Sequence, residues 1–370
     1  MAPLDIEYFG RNADIANGAS ARRELAENAS QPYKFAYART ALKYGLRVRG
    51  LVAGDSVLVP DFICESAIEP FDELGIEPLF YPIDPTLRPD WDAARLLIKP
   101  SAKALLVAHY FGQPQDICEC LRFCEANGLD LIEDNAHGYG ATYKGRLLGT
   151  FGKIGVSSPR KSFPISNGAY LYLADDVPID LYELRLQPAD SDTLLGKGKS
   201  LLRGLAPVAA LLRYRRRLAE YRRRVRQSPP PYDSQDAFRS TRMPQDYGMD
   251  EANHVFLARQ NLAEAADKRR AIYELWLGWA ISHGLAPVFP RLSPGAAPLV
   301  FPAFAASRES RNDWFIRGHR AGIDMHSWPT LPRVIVEGNG GAMRSWERLV
   351  CFPIHQGMDE RALESRLTRI

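Results

Sequence analysis

Residues 131–173 read LIEDNAHGYGATYKGRLLGTFGKIGVSSPRKSFPISNGAYLYL. The stretch opens on an apolar run that ends in two carboxylates, Glu133 and Asp134. It then passes His137 and a series of glycines, and reaches one lysine, Lys161, set between Arg160 and Ser162. An aspartate just past an apolar strand commonly caps a turn or helix, and a lone lysine is ordinarily a surface residue. Their meaning comes from what surrounds them.

Upstream, the chain alternates between helix and strand. SVLVPDF is a β-rich run after the turn AGD, ESAIEPFDELG is a helix ended by glycine, and EPLFYPID is again a strand. WDAARLLI is helical, AKALLVAHYFG a buried strand, DICECLRFCEANG helical and LDLIED a strand. Short continuous apolar strands between helices predict a mostly parallel α/β sheet covered on both faces. Ligands of such sheets collect beyond the carboxyl ends of the strands, where His109, Asp134 and the loop after Pro60 fall.

The alternation fades after about residue 185. The stretch over 195–228 reads as one or two helices, with eight arginines between Arg213 and Arg226. A basic amphipathic helix of this kind suits a membrane surface or an anionic partner. It equally suits a solvated helix whose arginine stems cover neighbouring protein surface, which is the reading adopted. SPPPYD marks the boundary between a large α/β domain, residues 1–235, and a smaller C-terminal α+β domain, residues 236–370. The second domain is expected to hold one long helix over DEANHVFLARQNLAEAADKRRAIYELWLGWAISHG, a strand in PLVFPAF and a terminal helix in DERALESRLTRI.

At 370 residues with 46% hydrophobic and 25% charged content, the composition is that of an ordinary globular protein. A net charge of +3 does not call for a nucleic-acid partner. MAPLDIEYFGRNADIANG has neither a basic nor an apolar region of a signal peptide, and no apolar run approaches the roughly 20 residues that span a bilayer. A cytoplasmic protein is expected. Cys118, Cys120 and Cys124 have no Cys/His pair following at zinc-like spacing, so no metal site is expected.

ARTALKYGL adds the third element of the site. Thr40 and the amides at a helix N-terminus would form a phosphate seat. A phosphate seat, a carboxylate at a strand end and a later lysine are the minimal outfit for pyridoxal phosphate (PLP), which needs its phosphate anchored, its ring nitrogen kept protonated and its aldehyde held by a lysine.

The sequence resembles the DegT/DnrJ/EryC1/StrS sugar aminotransferases, within the PLP fold-type I superfamily. The resemblance is carried by ARTALKYGLRVRGLVAGDSVLVPDF, VAHYFGQPQD, IEDNAHGYGATYKGRLLGTFGKIGV and CFPIHQGMDE, in that order. It implies that Asp134 pairs with the pyridinium nitrogen, that His137 lies beside the cofactor's phenolic oxygen, and that Thr40, the Ala41 amide and Ser158, or Ser157 in its place, hold the phosphate. Lys161 would be the Schiff-base lysine and the proton relay. The position of the aromatic that stacks on the ring falls near Cys64, so that either Phe62 replaces it or the ring lacks that stack. SSPRK and SFPISNGAY replace the serine-aromatic pair and the glycine-glutamate-glycine-glycine run that the family commonly carries around the lysine. The implied activity is amination of a keto group on a nucleotide-linked sugar or similar polyol, with glutamate or glutamine as donor, in a homodimer. The departures also admit a non-catalytic descendant that binds a sugar nucleotide or scaffolds a complex.

Overall fold

The computed structural model describes residues 32–175, 186, 246–328 and 330–368. The arginine-rich stretch over 195–228 and the expected boundary at 235 lie outside the described residues.

Strand β1 (Tyr33–Phe35) leads into helix α1 (Ala38–Val48), then β2 (Ser56–Pro60), α2 (Glu69–Leu74), β3 (Glu77–Tyr81), α3 (Trp91–Leu96), β4 (Ala102–Ala108), α4 (Ile117–Asn127) and β5 (Asp130–Asn135). A two-stranded ribbon, β6 (Thr142–Tyr143) and β7 (Arg146–Leu147), precedes β8 (Ile154–Ser157), a 3₁₀ turn (Pro159–Lys161) and β9 (Ala169–Leu173). These strands build a seven-stranded sheet in the order β1-β9-β8-β5-β4-β2-β3. The five strands β3, β2, β4, β5 and β8 run parallel, while β9 and β1 are antiparallel to their neighbours. The apolar runs of the sequence are these strands: Val57, Leu58 and Val59 of β2, and Leu105, Leu106 and Val107 of β4, are each fully buried. Burying such side chains completely stabilises the fold by roughly 1.5–3 kcal/mol each.

The C-terminal part holds α5 (Glu251–Ala258), α6 (Leu262–Ser282), β10 (Ala286–Pro287), β11 (Val300–Phe304), α7 (Arg308–Ala321), α8 (Arg333–Gly338), α9 (Gly341–Arg348), β12 (Leu349–Pro353) and α10 (Glu360–Leu367). Strands β10, β11 and β12 form an antiparallel three-stranded sheet. The single long helix expected from residue 250 onward is two helices. Asn261 breaks it: its backbone is extended (φ −86°, ψ 98°), and its side chain accepts a hydrogen bond from the Glu264 amide to cap α6.

The C-terminal part meets the large sheet beside the exit of β4. The amides of Ala297 and Leu299 donate to the carbonyls of Gly112 and Phe111 at 3.0 and 2.8 Å. Gly112 has φ +84°, and a Cβ there would lie 2.0 Å from the Ala297 oxygen, so only glycine fits this seam. Phe111 also sits in the left-handed region, at φ 54°, an uncommon conformation for a bulky residue that the surrounding structure must hold in place.

Candidate active site

A cavity of about 150 Å³ opens at the carboxyl ends of the parallel strands. Adjacent strands bring its polar groups together. Asp134 of β5 is paired in register with Ala108 of β4 and Val156 of β8, and all three residues line the cavity. The turn after β8 carries Ser158, Arg160 and Lys161 to the same wall. The N-terminal turn of α1 closes the cavity with Tyr37, Ala38 and Arg39.

The Asp134 Oδ1 atom accepts the Ala136 amide at 2.9 Å, so the carboxylate both caps the turn and faces the cavity. Lys161 is half-buried. Burial lowers its pKa below that of an ordinary lysine; Cys64 and Asp134 oppose the shift, and the Arg160 charge adds to it. The amine lies 4.8 Å from the centre of the Trp328 ring. Trp328 also meets the His137 ring edge-on, with centroids 4.7 Å apart. His137 stacks on Phe111 with centroids 5.6 Å apart, and its Nδ1 accepts the Phe111 amide at 3.3 Å. That bond places the ring proton on Nε2. Burial, aided by the Lys161 charge, pushes the His137 pKa well down and keeps the ring neutral.

Beside these residues lies a buried pair to which the sequence assigned no role. Glu133 and His109 are 0% and 1% exposed. The His109 Nδ1 accepts the Gln115 amide at 3.2 Å, which leaves Nε2–H to donate to Glu133 Oε2 at 3.1 Å. The amides of Gly149, Phe151 and Gly152 also donate to the Glu133 carboxylate. A carboxylate satisfied so completely fixes the loop before β8 to the end of β5. The signal was available: Glu133 follows the apolar pair Leu131 and Ile132 directly within the strand.

Asp134, His137, Phe62, Ser158 and Lys161 all line the cavity. Two other expected residues do not. The Ala41 amide already donates to the Tyr37 carbonyl at 3.0 Å, and Ala41 is fully buried away from the cavity. Thr40 is likewise buried, and its Oγ1 has no hydrogen-bond partner. The residues of the helix that border the cavity are Ala38, Arg39 and Leu42. Phe62 packs on Tyr110, with ring centroids 5.9 Å apart. Cys64 lines the cavity at the place where a stacking aromatic was expected.

Solved structures of aminotransferases share this arrangement of sheets and helices. An aminotransferase, TlmJ, from Streptoalloteichus hindustanus shares the fold with a TM-score of 0.65 at 21% identity, over 92% of this chain and 84% of that one. An aminotransferase from Psychrobacter cryohalolentis does so with a TM-score of 0.67 at 17% identity, over 92% and 86%.

Residues 31–179 match the DegT/DnrJ/EryC1/StrS aminotransferase family. Over 138 residues the chain is 34% identical to the dTDP-4-dehydro-2,3,6-trideoxy-D-glucose 4-aminotransferase of Saccharopolyspora spinosa, a match covering 36% of each chain. Over 156 residues it is 31% identical to the L-glutamine:2-deoxy-scyllo-inosose aminotransferase of Streptomyces kanamyceticus, covering 40% of this chain and 36% of that relative. The chain thus matches little more than a third of the length of these relatives.

The site fits the three demands of PLP. A lysine whose pKa burial lowers and a carboxylate at a strand end share the cavity. Ser158, 1% exposed with no hydrogen-bond partner for its Oγ, faces the cavity beside the N-terminus of α1. An orphaned buried hydroxyl next to open helix amides has the chemistry of an anion seat. No helix among the described residues is long and apolar enough to cross a membrane, and no group of metal-ligating side chains occurs among them.

Proposed function

We propose that this protein is a PLP-dependent aminotransferase that converts a keto group of a nucleotide-linked sugar, or a similar polyol, to an amine. The observation that carries the reading is the placement of Lys161 and Asp134 on one cavity with an anion seat at the end of α1. The relatives' names support the substrate class: one acts on a dTDP-linked keto-deoxysugar, another on an inosose with glutamine as donor. Glutamate or glutamine is therefore the donor proposed here.

PLP, when bound, supplies an aldehyde that exchanges amino groups and a ring that withdraws electrons from the adjacent carbon. The chain's own residues do the rest. Asp134 holds the proton on the ring nitrogen through opposite charge. The amine of Lys161 would hold the aldehyde carbon and, as a free amine, would be the base for the proton of the donor's α-carbon. Its lowered pKa favours the neutral amine that this step needs. Neutral His137 offers Nε2–H as a hydrogen-bond donor at the cavity wall. Ser158 and the amides of Ala38 and Arg39 anchor the phosphate. Trp328 shields the amine from water, which strengthens every charge interaction around it.

The proposal includes a homodimer and a division into a cofactor-binding domain, residues 1–235, and a smaller domain, residues 236–370. It includes a cytoplasmic location, which suits five free cysteines. Visible absorbance of the protein after incubation with PLP, followed by borohydride reduction and peptide mapping, tests the core of it. The label is expected on Lys161 alone. Lys161→Ala should abolish the label and lower turnover by at least about 10²–10⁴-fold, whereas Lys144→Ala should keep both. A label elsewhere, or turnover by Lys161→Ala, refutes the reading.

A further inference from the structure

We infer that Arg160 supplies the fixed positive charge for the cofactor's phosphate from within the same chain, so that its guanidinium, the Ser158 hydroxyl and the first amides of α1 form one dianion seat. This inference rests on the PLP reading and names a residue for it that the sequence motifs did not single out.

Four observations converge. Arg160 and Ser158 line the same cavity as Tyr37, Ala38 and Arg39. The Arg160 guanidinium lies 5.2 Å from the centre of the Tyr37 ring, and Tyr37 is the residue that caps the N-terminus of α1. The first turn of that eleven-residue helix contains no acidic side chain, and its cap makes no side-chain hydrogen bond. The Ser158 hydroxyl is buried there with no partner.

Charge supports the same assignment. The Arg39 guanidinium sits 5.8 Å from the same Tyr37 ring and is engaged by Glu69 at 2.7 Å. Burial lowers the Arg160 pKa; the neighbouring Tyr37 opposes this, and the like charge of Arg39 contributes to it. Two guanidinium groups held near one helix N-terminus repel each other, and a dianion between them and the helix relieves that repulsion. The planar fork of arginine suits phosphate oxygens in a way that a lysine does not.

Position gives the seat a second role. Arg160 and Lys161 share one 3₁₀ turn, closed by the Lys161 amide donating to the Ser158 carbonyl at 3.0 Å. A phosphate held by Arg160 and Ser158 therefore also fixes the backbone that presents Lys161.

The test compares PLP with pyridoxal, which lacks the phosphate, by absorbance titration of wild type, Arg160→Gln, Arg160→Lys and Ser158→Ala. Charge-assisted hydrogen bonds of this kind are worth about 10- to 100-fold in affinity. Arg160→Gln should lose that factor for PLP while its pyridoxal affinity stays within about twofold. Arg160→Lys should recover part of the loss, and Ser158→Ala should show a smaller loss of the same kind. Inorganic phosphate should compete with PLP on the wild type and much less on Arg160→Gln. If Arg160→Gln keeps the wild-type preference for PLP over pyridoxal, the role of Arg160 is overturned while the PLP reading stands. If Arg160→Gln does not fold, a wild type that binds pyridoxal as tightly as PLP overturns the seat. A wild type that binds neither aldehyde overturns the cofactor reading itself.

Discussion

The Lys161 Nζ atom lies 4.8 Å from the centre of the Trp328 ring, so a residue from the C-terminal part of the chain covers the amine presented by the large sheet. An aromatic face attracts a cation by about 0.5–2 kcal/mol, more when water is excluded. Trp328 is only half-buried, so its removal should affect the site more than the fold. Trp328→Ala is expected to lower kcat/KM about tenfold with a melting point within a few degrees of wild type. Trp328→Phe keeps a ring face and should retain most of the activity. Equal losses in both variants would show that the indole is not acting through its face.

Asp134→Asn separates a cap from a cofactor partner. The side chain accepts the Ala136 amide, and an asparagine oxygen can accept that bond as well, so the melting point should hardly move. The amide cannot compensate a pyridinium charge, and the rate of the amino-transfer half-reaction should fall by about 10² or more, in line with the general size of such proton-holding roles. A normal rate in a normally stable Asp134→Asn protein would leave the carboxylate as a cap alone.

Much of the large sheet was legible because its strands are continuous apolar runs bounded by glycine and proline, a pattern that water and backbone geometry impose locally. Asp134 and Lys161 stand in one contiguous stretch of the sequence, and the structure brings both to one cavity. The residues missed lie where tertiary structure decides. Trp328 comes from a segment more than 160 residues away in sequence from Lys161, and nothing in its flanks announces what it covers. Which groups of the first turn of α1 face the cavity is likewise set by tertiary structure: the Tyr37 carbonyl accepts the Ala41 amide, and Ala38 and Arg39 line the cavity. The break at Asn261 was written locally as a polar cap, yet the long amphipathic pattern on either side concealed it.

Stability against pH should reveal two opposing groups. Burial and the Arg269 charge push the His355 pKa down to about 4; the unfolded chain binds the extra proton between that value and the ordinary 6.5, so stability is lost as pH falls through this window. His137, also pushed down by burial, has the same sign. Burial raises the Asp61 pKa to about 6; here the folded protein binds the extra proton between the ordinary carboxyl value and 6, so stability is lost as pH rises. Melting points at pH 4.5 and pH 7 separate the two. His355→Asn should gain relative to wild type at pH 4.5, and its amide oxygen can replace the ring nitrogen that accepts the Gly357 amide. Asp61→Asn should gain at pH 7. The reverse pattern in either variant contradicts the assigned sign.

Arg269 of α6 reaches the backbone next to Lys161. The side chain is 2% exposed, and burial pushes its pKa down to about 10. Its Nη2 donates to the Ser162 carbonyl at 2.6 Å and its Nε to Gln356 Oε1 at 2.8 Å. Gln356 Nε2 donates to the same Ser162 carbonyl at 3.1 Å. Two C-terminal side chains thus clamp the carbonyl of Ser162, the residue after Lys161, and neither lines the cavity. Arg269→Met leaves the Gln356 oxygen without this donor in a buried setting and should destabilise the protein by about 2–4 kcal/mol. Arg269→Lys can still reach one acceptor but loses the fork, so it is the variant suited to kinetics. Its kcat should fall about tenfold while KM for the amino donor stays nearly constant, because the clamp bears on Lys161 and not on the substrate. A rise in KM at unchanged kcat in Arg269→Lys would place the effect in substrate binding and rule out the clamp.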